Sequence, residues 1–254
     1  MENVCGSEKR LNWIRTRLKD TDRVLEFGCG TGAMITLPLL ATGYDVVGID
    51  LDRESIDYGR DLLRGQGLDP MRLRDADLNE LADASMDTII ASEVLEHIGS
   101  PELGTILRTL NSKLRPGGCL LVTVPNGFGW FELESFLWSR LRVGRILLMF
   151  HVPGIISRIK QFLRFPVGPR VLPNTLSASP HVQRFTHRSI SAALQAAGFQ
   201  IISIQGTVMF AGQFSHVWWG GVSPFIRLNL SLGARFPHAA AGYLIDCLRP
   251  IDAP

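Results

Sequence analysis

The chain has 254 residues, 46% hydrophobic and 20% charged, with a formal net charge of +2. That apolar content fills a sizeable core and excludes a disordered chain, and the length suits one large domain over 1–254, with or without an appendage. The net charge hides an asymmetry: residues 1–125 hold 20 acids and 14 bases, whereas residues 126–254 hold 4 acids and 12 bases. An acidic first half is no platform for nucleic acid. A basic, apolar second half suits anionic lipid, an acidic substrate, or a biased surface with no partner.

In chain order, Leu11, Ile14 and Leu18 recur at helical spacing and predict an amphipathic helix over 7–19. Arg23-Val24-Leu25-Glu26-Phe27 reads as a short apolar strand cut by Gly28, with a helix from about residue 33 to 41. A strand over 44–49, a helix over 52–63, a weak strand over 71–74 and a strand over 87–91 follow, the last entering a helix near 93–98. Residues 101–114 read as a helix stopped by Arg115-Pro116-Gly117-Gly118, and 119–124 as a fifth strand. Alternation of this kind predicts a doubly wound α/β sheet, with right-handed crossovers and a ligand at the carboxyl ends of the strands.

The second half reads differently. Residues 131–165 are apolar and basic with helical spacing, and 166–180 form a loop with four prolines. A helix over 186–197, a strand over 199–205, a Trp- and Gly-rich stretch over 207–224, a helix over 225–236 and a strand over 243–248 complete the chain. The apolar run 146–156 is too short to span a bilayer, and the uncharged stretch between Arg188 and Arg227 is broken by Gln, Ser, Gly and Pro. The polar N-terminus lacks the apolar core of a signal peptide, and Cys5, Cys29, Cys119 and Cys247 form no CxxC pair. Reduced thiols and a cytoplasmic location are expected, with peripheral contact at the inner membrane face as a further option.

The strongest motif is Leu25-Glu26-Phe27-Gly28-Cys29-Gly30-Thr31-Gly32 at a strand-to-helix turn, where glycines let backbone amides approach a ligand. Gly28, Gly30 and Ala33 also satisfy a dinucleotide fingerprint, and Asp50 stands where a ribose-binding acid is expected. Glu26 separates the two readings. A pyrophosphate at this turn would be repelled by a nearby carboxylate, whereas S-adenosylmethionine has no phosphate and carries an ammonium that a carboxylate favours. Asp50 can accept both ribose hydroxyls, and Asp75 can accept from the adenine amino group.

At this point the chain resembles the class I, seven-strand S-adenosylmethionine-dependent methyltransferases. The matching residues are LEFGCGTG at 25–32, VVGIDLD at 46–52, RDADL at 74–78, MDTIIASEVLEHI at 86–98 and LRPGGCLLVTVPN at 114–126. SPHVQRFT at 179–186 and LQAAGFQI at 194–201 continue the pattern of the branch that includes the ubiquinone-biosynthesis O-methyltransferases. The resemblance implies a Rossmann-like sheet of order 3-2-1-4-5-7-6 with the last strand antiparallel, and a helical lid at 131–180. It implies that Glu26, Gly28, Cys29, Gly30 and Gly32 surround the methionine part, and that Asp50 binds the ribose. Leu51 would line the adenine and Asp75 and Ala76 meet its edge, Asp77 being the alternative to Asp75. Ser92 and Glu93 would lie near the methyl group.

Glu93, Glu96 and His97 are spaced i, i+3, i+4 and share a face if their segment is helical. In the ubiquinone-type branch such residues resemble a metal site, for a divalent ion such as Mg, that orients a catechol-like acceptor. Two other readings stand beside it: His97 as general base, or Glu96 and His97 as structural support. His181 resembles a pocket-mouth histidine of the family. His151, His187, His216 and His238 have no partner legible in the sequence.

Phe131, Trp138 and Met149 lie among seven bases between residues 131 and 170. A lid over an apolar acceptor, a lid that also touches membrane, and an oligomer interface all suit this composition. The expected function is methyl transfer to a small or lipid-like acceptor, with oxygen favoured by family analogy alone. The alternatives are a nicotinamide-dependent oxidoreductase and a cofactor-binding scaffold without catalysis.

Overall fold

The computed structural model describes residues 5–163, 165 and 182–251. Strands β1 (Arg23–Phe27), β2 (Asp45–Asp50), β3 (Leu73–Asp75), β4 (Met86–Ser92), β5 (Leu114–Pro125), β6 (Gln200–Gly206) and β7 (Gly242–Leu248) form one sheet in the order β3-β2-β1-β4-β5-β7-β6. β1 to β5 pair in parallel, and β7 runs antiparallel to both β5 and β6. The expected strand order holds. The helices of the first half are α1 (Ser7–Arg15), α2 (Thr36–Leu40), α3 (Arg53–Gly65) and α4 (Ser100–Lys113). After β5 come α5 (Trp130–Ser135), α6 (Val143–Met149) and α7 (Val152–Phe162), then α8 (His187–Ala196), α9 (Gln213–Trp219) and α10 (Ser223–Arg235).

The sheet is apolar on both faces because successive side chains alternate between two helical layers. Leu25, Ile89, Leu120 and Ile245 point to the layer made by Leu103 and Leu107 of α4 with Ile190 and Leu194 of α8. Their chain neighbours Val24, Ile90, Leu121 and Leu244 point to Trp13 and Ile14 of α1 and Leu39 of α2.

Three local expectations are corrected. The helix after β1 begins at Thr36 rather than near residue 33, because Ile35 is non-helical (φ −135°) and the Thr36 amide is held by Glu26. Residues 93–98 form no α-helix: Glu93 takes a left-handed backbone (φ 54°), and only a 3₁₀ turn, Leu95–His97, follows. β5 starts at Leu114, five residues early, and the register between its pairs with Met86 and Thr88 is broken there. The helix α4 does end just before the Pro-Gly-Gly run, at Lys113, and the run itself lies in an irregular bulge at the start of β5.

The described segment after β5 folds as three short α-helices, with a π-helical turn at Phe136–Arg140 between the first two, clamped to α9. Buried Glu134 accepts hydrogen bonds from the Ser215 amide (2.8 Å) and hydroxyl. Lys160 Nζ donates to the Val217 and Gly220 carbonyls at 2.8 Å each. The Pro-rich loop and His181 lie outside the described residues.

Candidate functional site

The glycine loop leaves β1 with Gly28, Gly30 and Gly32 all in the left-handed region, at φ 68°, 53° and 67°. Its amides turn inward. Gly28 and Cys29 N–H donate to the Ile49 carbonyl at 2.9 and 3.0 Å, Gly32 N–H to the Cys29 carbonyl at 2.8 Å, and Gly30 N–H to Asp50 Oδ2 at 2.7 Å. A side chain at Gly28 would collide with Val94 Cγ2, 2.2 Å from an added Cβ, whereas Gly30 faces open space.

Glu26 lies behind the loop, only 4% exposed. Its Oε2 accepts from the Thr36 amide at 2.9 Å and from the Thr36 hydroxyl, so the carboxylate caps the N-terminus of α2. Burial pushes its pKa up to about 7, against the pull of those two bonds.

Asp50 ends β2 at the mouth of a crevice of about 380 Å³. Besides Gly30, its Oδ1 accepts from the Asp52 amide at 2.9 Å. Each oxygen therefore keeps one lone pair for a ligand. Phe27, Gly28, Leu51, Ala76 and Asp77 form the sheet side of the crevice, with Leu51 73% exposed. Val94, His97, and Glu102 and Thr105 of α4 also line the crevice, Val94 lying directly against Gly28. Of the two acids offered for the adenine edge, Asp77 lines the crevice, while Asp75 is exposed outside its lining. Asp77 also caps the turn that follows it, accepting from the Asn79 amide at 2.8 Å.

Ser92 and Glu93 lie at the carboxyl end of β4. Ser92 Oγ shares a hydrogen bond with Thr123 Oγ1 (2.8 Å), and that hydroxyl donates to Glu93 Oε1 at 3.0 Å. Arg10 Nη1 approaches the same oxygen at 3.3 Å. The composition of α1 hides this arginine. Its signal is position: Arg10 precedes buried Trp13 and Ile14 by three and four residues, so a base sits on the inward face of the helix.

The expected helical face for a metal does not form. The metal reading needs Glu93, Glu96 and His97 on one α-helical face, and the left-handed Glu93 and the short 3₁₀ turn remove that face. Glu96 is 1% exposed, its Oε2 has no hydrogen-bond partner, and burial with the Glu93 charge pushes its pKa up to about 9. Among the described residues no group of three His, Cys, Asp or Glu side chains could hold a metal ion. His97 Nε2 lies 4.0 Å from Glu96 Oε1. The Glu96 carbonyl instead receives the amides of Val182 and Gln183, at 2.9 and 3.1 Å, where the chain returns to the sheet.

The structure also pairs two histidines that the sequence left apart. The rings of His187 and His238 meet edge to face at 4.7 Å, beside Tyr243. Burial, His238 and Arg188 lower the His187 pKa.

Comparison with known proteins follows the same lines. A probable fatty acid methyltransferase of Mycobacterium tuberculosis is 32% identical over 122 residues, covering 48% of this chain and 28% of that protein. A ubiquinone biosynthesis O-methyltransferase of Xanthomonas euvesicatoria is 34% identical over 120 residues, covering 46% of this chain and 49% of that protein. The chain thus spans about half or less of the length of these two relatives. In fold it resembles a crystal structure of the [4+2]-cyclase SpnF, with TM-score 0.59, 17% identity, and coverage of 96% of this chain and 81% of that one. A crystal structure of a SAM-dependent methyltransferase from Methanosarcina mazei gives TM-score 0.58 at 19% identity, covering 94% of this chain and 98% of that one. Residues 5–204 match a family model described as a methyltransferase domain, and by that match the chain belongs to the methyltransferase-domain family.

Proposed function

We propose that the chain transfers a methyl group from S-adenosylmethionine to a small or lipid-like acceptor, at oxygen in preference to nitrogen or carbon. One observation carries the cofactor reading: the glycine-loop amides of residues 28, 29, 30 and 32 have internal acceptors, and Glu26 occupies the N-terminus of α2. A diphosphate needs those amides and that helix end. The loop therefore disfavours a nicotinamide dinucleotide and fits a phosphate-free adenosine derivative.

When bound, the cofactor supplies an activated methyl on a sulfonium. The residues of the chain bind and orient it. Asp50 accepts the two ribose hydroxyls with its remaining lone pairs, Leu51 covers one adenine face, and Ala76 with Asp77 meets the adenine edge. Glu26, Arg10 and Glu93 supply the charges that complement the ammonium and carboxylate of the methionine part. Ser92, linked to Glu93 through Thr123, would lie near the transferred methyl. His97, on the crevice wall, receives the proton of an acceptor hydroxyl, and His181 is kept as a second candidate for that role. Little else is required, because alignment in a dry pocket supplies much of such a rate. The segment 131–180 serves as the acceptor-side lid of a single domain. The names of the two relatives, one for fatty acid and one for ubiquinone biosynthesis, support a lipid-like acceptor.

Calorimetry with S-adenosylmethionine and with NAD tests the cofactor, and release of labelled methyl over a panel of quinols, phenols and lipids tests the reaction. Binding of NAD alone overturns the reading. Binding of S-adenosylmethionine with no transfer to any acceptor reduces the chain to a cofactor-binding scaffold.

A further inference from the structure

The helices inserted after β5 carry their apolar residues outward. On α7, Ile155, Ile159 and Phe162 fall on one stripe at helical spacing and are 51%, 52% and 86% exposed. The side chain that α7 buries is Lys160, fixed by its two bonds to the carbonyls of Val217 and Gly220 at the end of α9. A helix placed to cover its apolar stripe would be rotated the other way. The Lys160 anchor holds it in this orientation, with the stripe unpartnered among the described residues. The end of α6 repeats the pattern, with Met149 and Phe150 exposed, and Trp218 is exposed on neighbouring α9.

The charge around this face has one sign. Arg142, Arg145 and Arg158 are exposed and form no ion pair among the described residues. From residue 135 to residue 245 the sequence contains no Asp or Glu at all. Soluble helices normally mix both signs on their wet face. Exposed arginines with no acid in the same stretch of chain, on helices that carry an outward apolar stripe, complement a surface that is anionic outside and apolar beneath.

We propose that the face made by α6, α7 and the end of α9 docks on an anionic lipid bilayer. The stripe enters the boundary between headgroups and acyl chains, and the arginines meet the headgroups. A second copy of the chain would bring the same unpaired arginines together, and a nucleic acid would match the arginines but leave Ile159 and Phe162 in water. Among the described residues no helix is long and apolar enough to cross a membrane, so the contact is peripheral. The inserted helices leave the sheet at the carboxyl end of β5, the edge on which the Asp50 crevice opens. Vesicle binding is read without turnover, so its outcome is distinct from that of the methyl-transfer reading.

The test is co-sedimentation of the full chain with vesicles of phosphatidylcholine alone and of phosphatidylcholine with an equal part of phosphatidylglycerol. The expected result is binding to the mixed vesicles that weakens with salt and is slight on phosphatidylcholine alone. Each of Arg142→Glu, Arg145→Glu and Arg158→Glu should lower partitioning by roughly fivefold, the ratio equivalent to ~1 kcal/mol per basic residue at the surface. Ile159→Asp with Phe162→Asp should abolish it while circular dichroism and the melting transition stay those of the parent chain. Quenching of tryptophan fluorescence by brominated lipid, read on the unaltered chain, gives a second measure independent of any variant. No binding to the mixed vesicles and no quenching overturns the proposal. So does a dimer in light scattering, without vesicle binding, that the aspartate variants split, since the face then belongs to a second copy. Duplex DNA that binds the aspartate variants as well as the parent and displaces vesicles overturns it too.

Discussion

Glu26 and Thr36, ten residues apart, are joined at both the backbone and the side chain: Oε2 of the buried glutamate accepts from the Thr36 amide at 2.9 Å and from its hydroxyl. The carboxylate thus takes the position at the start of α2 that an anionic ligand would take in a phosphate-binding turn. Its full negative charge is not permanent, because burial brings the pKa to about 7. The sequence alone suggested a fixed charge facing an ammonium; the structure gives a buried group, bonded to Thr36, whose charge depends on pH near neutrality.

Cofactor binding should therefore release a proton near neutrality. An ammonium beside Glu26 favours the carboxylate and lowers its pKa, so affinity should fall as pH drops below about 7. It should level off above, until the amino group of the cofactor itself deprotonates near ~8. Calorimetry in two buffers of different ionisation enthalpy counts the proton. Glu26→Gln should remove the acid limb of the affinity profile, and a parent chain that shows no proton release refutes the coupling.

Asp50 holds the turn together and still offers lone pairs to a ligand. Asp50→Asn keeps the size but loses the charge, and replaces one acceptor oxygen by a donor that faces a backbone amide. Loss of one charge-assisted bond predicts weaker cofactor binding by about 1.5–3 kcal/mol. Asp61→Asn, exposed on α3, serves as the control and should leave the dissociation constant unchanged. Equal affinities in both variants would remove Asp50 from the ribose.

Much of this was legible in the residues. Alternation of Val24 with Leu25, and of Ile89 with Ile90, already assigns each side chain to one of two covered faces, and from that the doubly wound sheet follows. The site was less legible wherever it depended on contacts across the fold. Nothing near Thr36 announces that its amide is taken by a residue on β1. The sequence favoured Asp75 over Asp77 for the adenine edge, and only the turn after β3 shows that it is Asp77 that lines the crevice. The ExxEH spacing suggested a helical face, but spacing cannot register the left-handed backbone at Glu93 that ends the strand differently. Arg10 was hidden because helical periodicity is read from apolar residues, and its inward position is marked by a charge.

Buried Glu96 should make the chain less stable as pH rises. Its folded pKa, near 9, lies above the ordinary 4.5, so between these values the folded state binds more protons than the unfolded state. Stability is complete at acid pH and declines as pH climbs through that window. Glu96→Gln removes the titration and keeps a neutral side chain of the same shape. At alkaline pH it should be the more stable protein by about 1–3 kcal/mol, the usual cost of one uncompensated buried polar group. The advantage should vanish in acid. Chemical denaturation at several pH values measures the difference, and parallel profiles for the two proteins would show that Glu96 does not titrate in this range.

Gly28 and Gly30 share the left-handed backbone but not their surroundings, which separates the cost of conformation from the cost of space. An alanine at either position pays the left-handed penalty of about 1–2 kcal/mol. At Gly28 the added methyl also meets Val94, whose side chain is a wall of the crevice, at a distance no real contact tolerates. Overpacking of that kind adds about 1–3 kcal/mol. Gly28→Ala should therefore melt well below Gly30→Ala and lose cofactor affinity as Val94 is pushed into the crevice. At Gly30 there is room for the methyl, so the melting loss should be the smaller of the two and any affinity loss should report steric contact with ligand in that open space. Scanning calorimetry and ligand titration on the two variants give both orders. Equal melting temperatures would mean that Val94 moves freely and that the tight approach of loop to wall is not what shapes the crevice.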